Sequence, residues 1–389
     1  YQGVGGVTLV DELFPPCPAG RNAPILSAAD VSPVTAASSP SPGVDLPLRD
    51  PGLQAAVAAA DRALAAVPRL VGSPDDGTGS NSWVVSGAHT ADGAPILAND
   101  PHLSISAPGV WSQVGLRCAP VTSDCPYDVA GFSFAGFPGV IIGHDEHLAW
   151  GFTNLGSDVS DFFLERIVDG EQQVDDEFAP LTTRRETIRV AGGDEVTITV
   201  RSSTHGPILS DALDDLAAVG NSPTGSNLAG GDYAVALAWT ALTPGRTADA
   251  VLLLDTARDA ADVAAAAAAF EVPAQNIVFA TTDGHIGYQA PGTVPVRAAI
   301  AGRVPSDGSW PRPGWDSRFD WQGWVPPAEM PHVLDPPEGF LVAANQEVEP
   351  AGAGPFLTGD WDYGYRAQRI RDLLTQQIAA GRKVTVDST

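Results

Sequence analysis

Apolar and polar positions change texture once along the chain, at Ser80. Ahead of it, residues 32–53, which begin SPVTAASSPSPGVDLPLRDP, mix Pro, Ser and Ala with no apolar period, as a linker does. Residues 53–66 then combine good helix formers with Leu or Val at helical spacing, which predicts a short helix ending before Pro68. Gly72–Gly79 (GSPDDGTG) reads as an exposed loop open to proteolysis. From Ser80 onward, short β-type runs alternate with turn residues at Trp83–Ser86, Pro95–Asn99, Val114–Arg117, Val140–Gly143, Leu148–Thr153, Phe162–Ile167, Thr187–Val190 and Val196–Val200. Such a series predicts antiparallel strands. Thr247–Phe270 reads as one helix, strands resume at Ile277–Thr281, Ile286–Gln289 and Phe340–Ala344, and Tyr365–Ala379 closes as an amphipathic helix. No internal repeat interrupts the series, and strands grouped with a few long helices make the chain α+β.

Composition narrows the function classes. A chain of 389 residues can bury one large core or two ordinary ones. No run of eighteen apolar residues occurs, since the Ala-rich stretches 55–66 and 260–269 are too short and weakly apolar to span a bilayer. Lys and Arg total 21 against 47 Asp and Glu, a net charge of −26 that repels phosphate backbones and anionic lipid. Nucleic acid is therefore excluded as a partner. Cys118 and Cys125 flank a short polar turn, where they either close a small disulfide loop in an oxidising compartment or stay as buried thiols, with Cys17 left over. No Met and no basic-then-apolar leader opens the sequence, so any signal peptide is expected upstream or removed.

The candidate chemistry sits at the change of texture, in Gly79-Ser80-Asn81-Ser82-Trp83-Val84-Val85. A serine hydroxyl needs a base within hydrogen-bond reach to become a nucleophile. Cutting the Gly79–Ser80 bond would create an α-amino group whose ordinary pKa is about 7.7–8.0, near working pH. That amine could deprotonate the hydroxyl of its own residue, directly or through one water, without a His–Asp pair.

These residues resemble the start of the catalytic chain of the penicillin acylase family of N-terminal-nucleophile hydrolases. The likeness continues in order through Ala98-Asn99-Asp100-Pro101-His102-Leu103, Pro138-Gly139-Val140-Ile141-Ile142-Gly143-His144, Trp150-Gly151-Phe152-Thr153-Asn154 and Ser157-Asp158-Val159-Ser160-Asp161. Further on it includes Pro273-Ala274-Gln275-Asn276, Asp283-Gly284-His285-Ile286-Gly287-Tyr288, Ala343-Ala344-Asn345 and Tyr365-Arg366-Ala367. An ordered series over roughly 80–370 is far more specific than one motif.

The resemblance implies a four-layer αββα sandwich of two antiparallel sheets between helical layers. Residues 1–31 would be the end of a preceding α chain, 32–79 a spacer, and 80–389 the catalytic domain, incomplete at its C-terminus. The implied activity is hydrolysis of N-acylated small molecules in a zymogen that cuts itself before Ser80. Ser80 resembles the nucleophile, Asn345 and the backbone N–H of Asn154 the oxyanion donors, and Arg366 the arginine that holds that asparagine and the new amino terminus. His102 stands where relatives carry glutamine or histidine, the histidine version resembling cephalosporin, lactone and lipopeptide acylases. Leu103 and Ile142 replace aromatic pocket residues of phenylacetyl-specific relatives, which favours aliphatic acyl chains such as those of acyl-homoserine lactones. No catalytic cofactor is implied. The family's calcium loop resembles Asp158, Ser160 and Asp161, so a structural calcium is an expectation. The preceding chain is the implied partner, and the implied location is periplasmic or secreted.

Competing readings remain at this stage. His144-Asp145-Glu146-His147 suggests a metal-dependent hydrolase, although histidines at i and i+3 in a turn converge poorly. Gly131-Phe132-Ser133-Phe134-Ala135 nearly matches a nucleophile elbow but lacks its final glycine. The acidic composition also suits a non-catalytic extracellular binding module.

Overall fold

The computed structural model describes residues 22–31, 78–213, 216, 232–301, 306–350 and 352–389. The helix read at 53–66, the linker 32–53, Cys17 and most of the spacer loop lie outside them. In chain order the strands begin with β1 (Gly79–Val85), β2 (Ile96–His102), β3 (Trp111–Arg117), β4 (Asp128–Phe134), β5 (Ile142–His144), β6 (Leu148–Asn154) and β7 (Ser160–Val168). They continue as β8 (Glu171–Val174), β9 (Glu177–Pro180), β10 (Thr182–Ile188), β11 (Val196–Ser202), β12 (Asp232–Trp239), β13 (Gln275–Thr281), β14 (Ile286–Gln289) and β15 (Pro295–Arg297). Last come β16 (Arg312–Pro313), β17 (Trp321–Trp324), β18 (His332–Leu334) and β19 (Phe340–Ala343). Among the described residues the α-helices are α1 (Thr247–Leu254), α2 (Ala260–Ala269) and α3 (Tyr365–Ala379).

Two antiparallel sheets carry the core. One has three strands in the order β19-β1-β2, and the other seven in the order β18-β14-β13-β6-β5-β4-β3. Val84, Leu341 and Ala343 of the first pack against Val278, Ala280, Ile286 and Tyr288 of the second. The opposite face of the three-stranded sheet, with Val85, Phe340 and Val342, packs against Ala367 and Leu374 of α3. Beyond the seven-stranded sheet, Trp150, Phe152, Ile277 and Phe279 pack against Val251 and Leu254 of α1 and Val263 and Ala266 of α2. A strand covered on both faces reads as a continuous apolar run, which is why β13 (QNIVFAT) shows no alternation. A third sheet, β12-β7-β8-β9 with β16 parallel to β7, stands apart, and β10–β11 form a separate hairpin.

Three expectations change. The single helix over 247–270 is two, because Asp259 accepts hydrogen bonds from the N–H groups of Ala261 and Asp262 at 2.9 Å and starts a new helix. Val140 and Ile141 precede β5 instead of forming it. Ser133, the serine of the near-elbow, lies buried within β4, one residue before its end. Cys118 and Cys125 form a disulfide with Cα atoms 5.9 Å apart, which resolves the alternatives left by spacing.

Candidate active site

Ser80 occupies the second position of β1, on the same buried face as Ser82 and Val84, toward the seven-stranded sheet. It is 5% exposed. Across β2 it faces Pro101, which has no N–H to give. On the other side, β1 pairs with β19 through Ser82↔Ala343, and continuing that register two residues brings Asn345 opposite Ser80. The backbone of Asn345 turns into the left-handed region at φ 68°, a conformation asparagine tolerates better than most residues. The strand therefore ends, and a side chain takes over from its backbone: Asn345 Oδ1 accepts the Ser80 N–H at 2.9 Å.

The Asn345 amide has only one consistent orientation. Its Oδ1 also accepts from Arg366 Nη2 at 2.9 Å, while its Nδ2 donates to the Asn154 carbonyl at 2.9 Å. Two donors on one side and a carbonyl on the other fix which atom is oxygen. Arg366, in the first turn of α3, also donates through Nη1 to the Ser80 carbonyl at 2.8 Å and to Asn81 Oδ1 at 2.9 Å. Asp362 meets its Nη2 at 3.2 Å. One guanidinium thus ties the helix to the start of β1 and to Asn345.

Asn154 brings the second sheet to this point. The N–H of Leu155 bonds the carbonyl of Ala274, so the preceding pair, Asn154↔Gln275, is a non-hydrogen-bonded pair of the β6–β13 ladder. Its N–H and C=O therefore face away from β13, and β5, whose pairing with β6 spans only Ala149 and Trp150, does not extend that far. Asn345 takes the Asn154 carbonyl on that edge. Two residues earlier, Asn99 of β2 fills the same edge, donating to the Phe152 carbonyl at 3.0 Å and accepting the Phe152 N–H at 3.2 Å. A side chain on Gly151 would collide with it, since an added Cβ would lie 2.8 Å from Asn99 Cβ. Asn99 holds the sheets in register, a role its sequence block gave no sign of.

His102 ends β2 and faces Gly79 in the ladder. Its Nδ1 lies 2.9 Å from the Asp100 carbonyl and 3.3 Å from the Asp100 carboxylate, which favours a proton on Nδ1 and leaves Nε2 as acceptor. A Cβ placed on Gly79 would be 2.9 Å from that Nε2 and 3.0 Å from Arg366 Nη2, so both groups crowd the bond ahead of Ser80.

Other expected site residues are more scattered. Leu103 follows His102 and is half-buried. Ile142 belongs to the core cluster packed with α1 and α2. Asp158 and Asp161 already hold a cation: Arg297 Nη2 is 3.2 Å from the Asp158 carboxylate, and its Nε is 2.9 Å from that of Asp161. Trp321 Nε1 also donates to Asp161, and the Arg297 side chain is only 4% exposed. Calcium needs six or more oxygens close around it, and a guanidinium seated on both carboxylates denies it that shell. Asp158, Ser160 and Asp161 do not fit the expected ion, because a distant arginine has taken its charge-balancing place. Asp145, between His144 and His147, accepts the N–H groups of His147 and Leu148 at 2.7 and 2.8 Å as a turn former. Among the described residues no group of three or more His, Cys, Asp or Glu is arranged to hold a metal ion.

Known proteins resemble this chain over most of its length. The family model described as Penicillin amidase matches residues 6–389. The chain is 32% identical over 335 residues to an acyl-homoserine lactone acylase, QuiP, of Pseudomonas aeruginosa, covering 85% of this chain and 37% of that protein. It is 32% identical over 349 residues to the penicillin acylase 2 proenzyme of Pseudomonas sp. (strain SE83), covering 87% of this chain and 42% of that one. The chain thus spans well under half the length of these curated relatives. A solved structure, the thermostable penicillin G acylase from Alcaligenes faecalis, superposes with a TM-score of 0.61 at 21% identity, over 79% of this chain and 51% of that one.

Proposed function

The chain belongs to the penicillin amidase family, and from that premise we propose that its parent enzyme hydrolyses the amide bond of N-acylated small molecules after cutting its own backbone ahead of Ser80. The observation that carries this reading is the Ser80 nitrogen held by Asn345 Oδ1 at 2.9 Å while Nδ2 of the same amide meets Asn154. In the uncut chain that nitrogen is an amide with no basic lone pair. Attack of the Ser80 hydroxyl on the Gly79 carbonyl moves the acyl group from nitrogen to oxygen, and water then hydrolyses the ester. A Gly79 carboxylate and a Ser80 amine result.

The amine accepts the proton of its own hydroxyl as Oγ attacks the substrate carbonyl. Asn345 keeps one Nδ2 hydrogen for the developing oxyanion, and the Asn154 N–H, on the same open edge, supplies the second donor. Each such donor is worth roughly 3–4 kcal/mol of barrier. The proton passes to the departing amine, and water activated by the same nitrogen releases the acid. Arg366 shares Asn345 Oδ1 with that nitrogen, so its charge disfavours the protonated amine and keeps the lone pair free near neutral pH.

The packing of α3, the two facing sheets and the α1–α2 pair supports the finer αββα layering. Leu103, beside His102, together with relatives named for acyl-homoserine lactones, supports an aliphatic acyl group, whereas Ile142 packs in the core against α1 and α2 and does not bear on the acyl group. The Cys118–Cys125 disulfide supports a periplasmic or secreted location. Among the described residues, no helix is long and apolar enough to cross a membrane. A series of N-acyl substrates of graded chain length, offered to the full-length precursor and to Ser80→Ala, tests the reading. Turnover that survives in Ser80→Ala overturns it.

A further inference from the structure

A second amide is buried beneath Ser80, Asn345 and Asn154, between the two sheets. Asn276 of β13 is 0% exposed and stands opposite Thr153 of β6. Its Nδ2 lies 3.0 Å from Thr153 Oγ1, 3.3 Å from the Thr153 carbonyl and 3.2 Å from the Asn154 carbonyl. Carbonyls only accept, so Nδ2 faces them and Oδ1 turns to the Tyr288 hydroxyl, which donates to it. Burial, with the charge of Glu349 nearby, raises the Tyr288 phenol well above its ordinary value, so it stays a donor across the working pH range. Val278 and Ala280, the next residues of β13 on this face, are apolar. An amide in such company is costly unless fully paired, and this one is.

The pairing bears on catalysis because the Thr153 carbonyl and the Asn154 N–H belong to one peptide unit. A donor at the oxygen polarises that unit, strengthens its N–H and fixes its plane. The Asn154 carbonyl, meanwhile, receives Asn276 and Asn345 together. We propose that Asn276, oriented by Tyr288, is a positioning residue for acyl transfer: it clamps the Thr153–Asn154 backbone and so aims both oxyanion donors. The proposal rests on the amidohydrolase reading above.

The test uses the full-length processed enzyme with Asn276→Leu and Tyr288→Phe, on the best N-acyl substrate of the graded series. In Asn276→Leu, kcat should fall about 10–100-fold with KM changed by less than about threefold. The Ki of an alkylboronic acid, which forms a tetrahedral anion on serine, should rise in step with the loss of kcat. The Ki of the carboxylate product should stay within about twofold. Tyr288→Phe keeps the packing volume and should lose about 3–10-fold in kcat, which carries the test if Asn276→Leu does not fold. An active parent whose folded variants keep kcat and boronate Ki within about twofold overturns this proposal alone. A parent that hydrolyses no N-acyl substrate overturns the reading beneath it as well.

Discussion

Arg366 Nη2 donates to Asn345 Oδ1 at 2.9 Å, on the same oxygen that accepts the Ser80 N–H. Arg366, 286 positions downstream of Ser80, therefore bonds both the Ser80 carbonyl and the amide that receives the Ser80 nitrogen, the nitrogen proposed to become the base. This coupling makes the protonation state of the amine depend on Arg366, and it can be read kinetically.

Replacing Arg366 with Gln removes the positive charge beside the amine. The amine must be unprotonated to act, and a neighbouring cation lowers its pKa, so removing the cation raises it. The acid limb of kcat/KM should therefore move to higher pH, toward about 7.7–8.0, and kcat should fall about 100-fold as Asn345 loosens. A pH–rate profile of the processed enzyme checks both. An unmoved acid limb would show that Arg366 does not govern the base.

Asn345 has a left-handed backbone and, in the proposed mechanism, a separable second role as an oxyanion donor. Asn345→Gly keeps the first and loses the second, whereas Asn345→Ala loses both. Each variant should drop kcat about 10²–10³-fold with little change in KM. Both variants should lose stability with the bonds to Ser80, Arg366 and Asn154, and the alanine variant about 1 kcal/mol more than the glycine one, measured by denaturant unfolding.

His205 sits between two carboxylates, Nδ1 2.8 Å from Glu165 and Nε2 2.9 Å from Asp320, and stacks on Phe163. Burial opposes its charge, but the hydrogen bonds it donates to Asp320 and Glu165 prevail and raise its pKa to about 9. Because the folded value exceeds the unfolded one near 6.5, the stabilisation is complete below about pH 6.5 and is lost as pH rises through about 9. The lost amount is on the order of 3 kcal/mol. Melting temperature should therefore decline over that window in the parent and decline less steeply in His205→Gln.

Asp158, Asp161 and Arg297 form a buried ion cluster. A chelator should leave the melting temperature within about 1 °C of its starting value, because the carboxylates are balanced by a side chain. Arg297→Met, which removes the cation from Asp158 and leaves Asp161 with only the Trp321 N–H and Arg312 Nε at 3.8 Å, should destabilise by about 3–5 kcal/mol. A chelator-induced fall in melting temperature would return these residues to the role of metal ligands.

What the sequence disclosed depended on how local the signal was. Tyr365–Ala379 was legible residue for residue, since Ala367, Ile370, Leu374 and Ile378 repeat at helical spacing. The break between α1 and α2 was missed because no Gly or Pro marks the joint Asp255-Thr256-Ala257-Arg258, although Asp259 is a residue type suited to capping the next helix. Asn345 and Arg366 were reached through resemblance, and the bonds joining them to Ser80 follow from register across strands far apart in sequence. Arg297 lies 136 residues from Asp161, and nothing local marks it as the partner. Asn99 and Asn276 left no local trace, since Asn99 is followed by Asp100 and Asn276 preceded by Gln275, so neither stands out as a lone amide inside an apolar run.

Intact-mass analysis of the purified full-length precursor over time, beside Ser80→Ala, tests the central claim most directly. The account predicts a new chain whose first residue is Ser80, appearing together with N-acyl hydrolysis, and neither in the variant. A precursor that hydrolyses its substrate with the Gly79–Ser80 bond intact would contradict it.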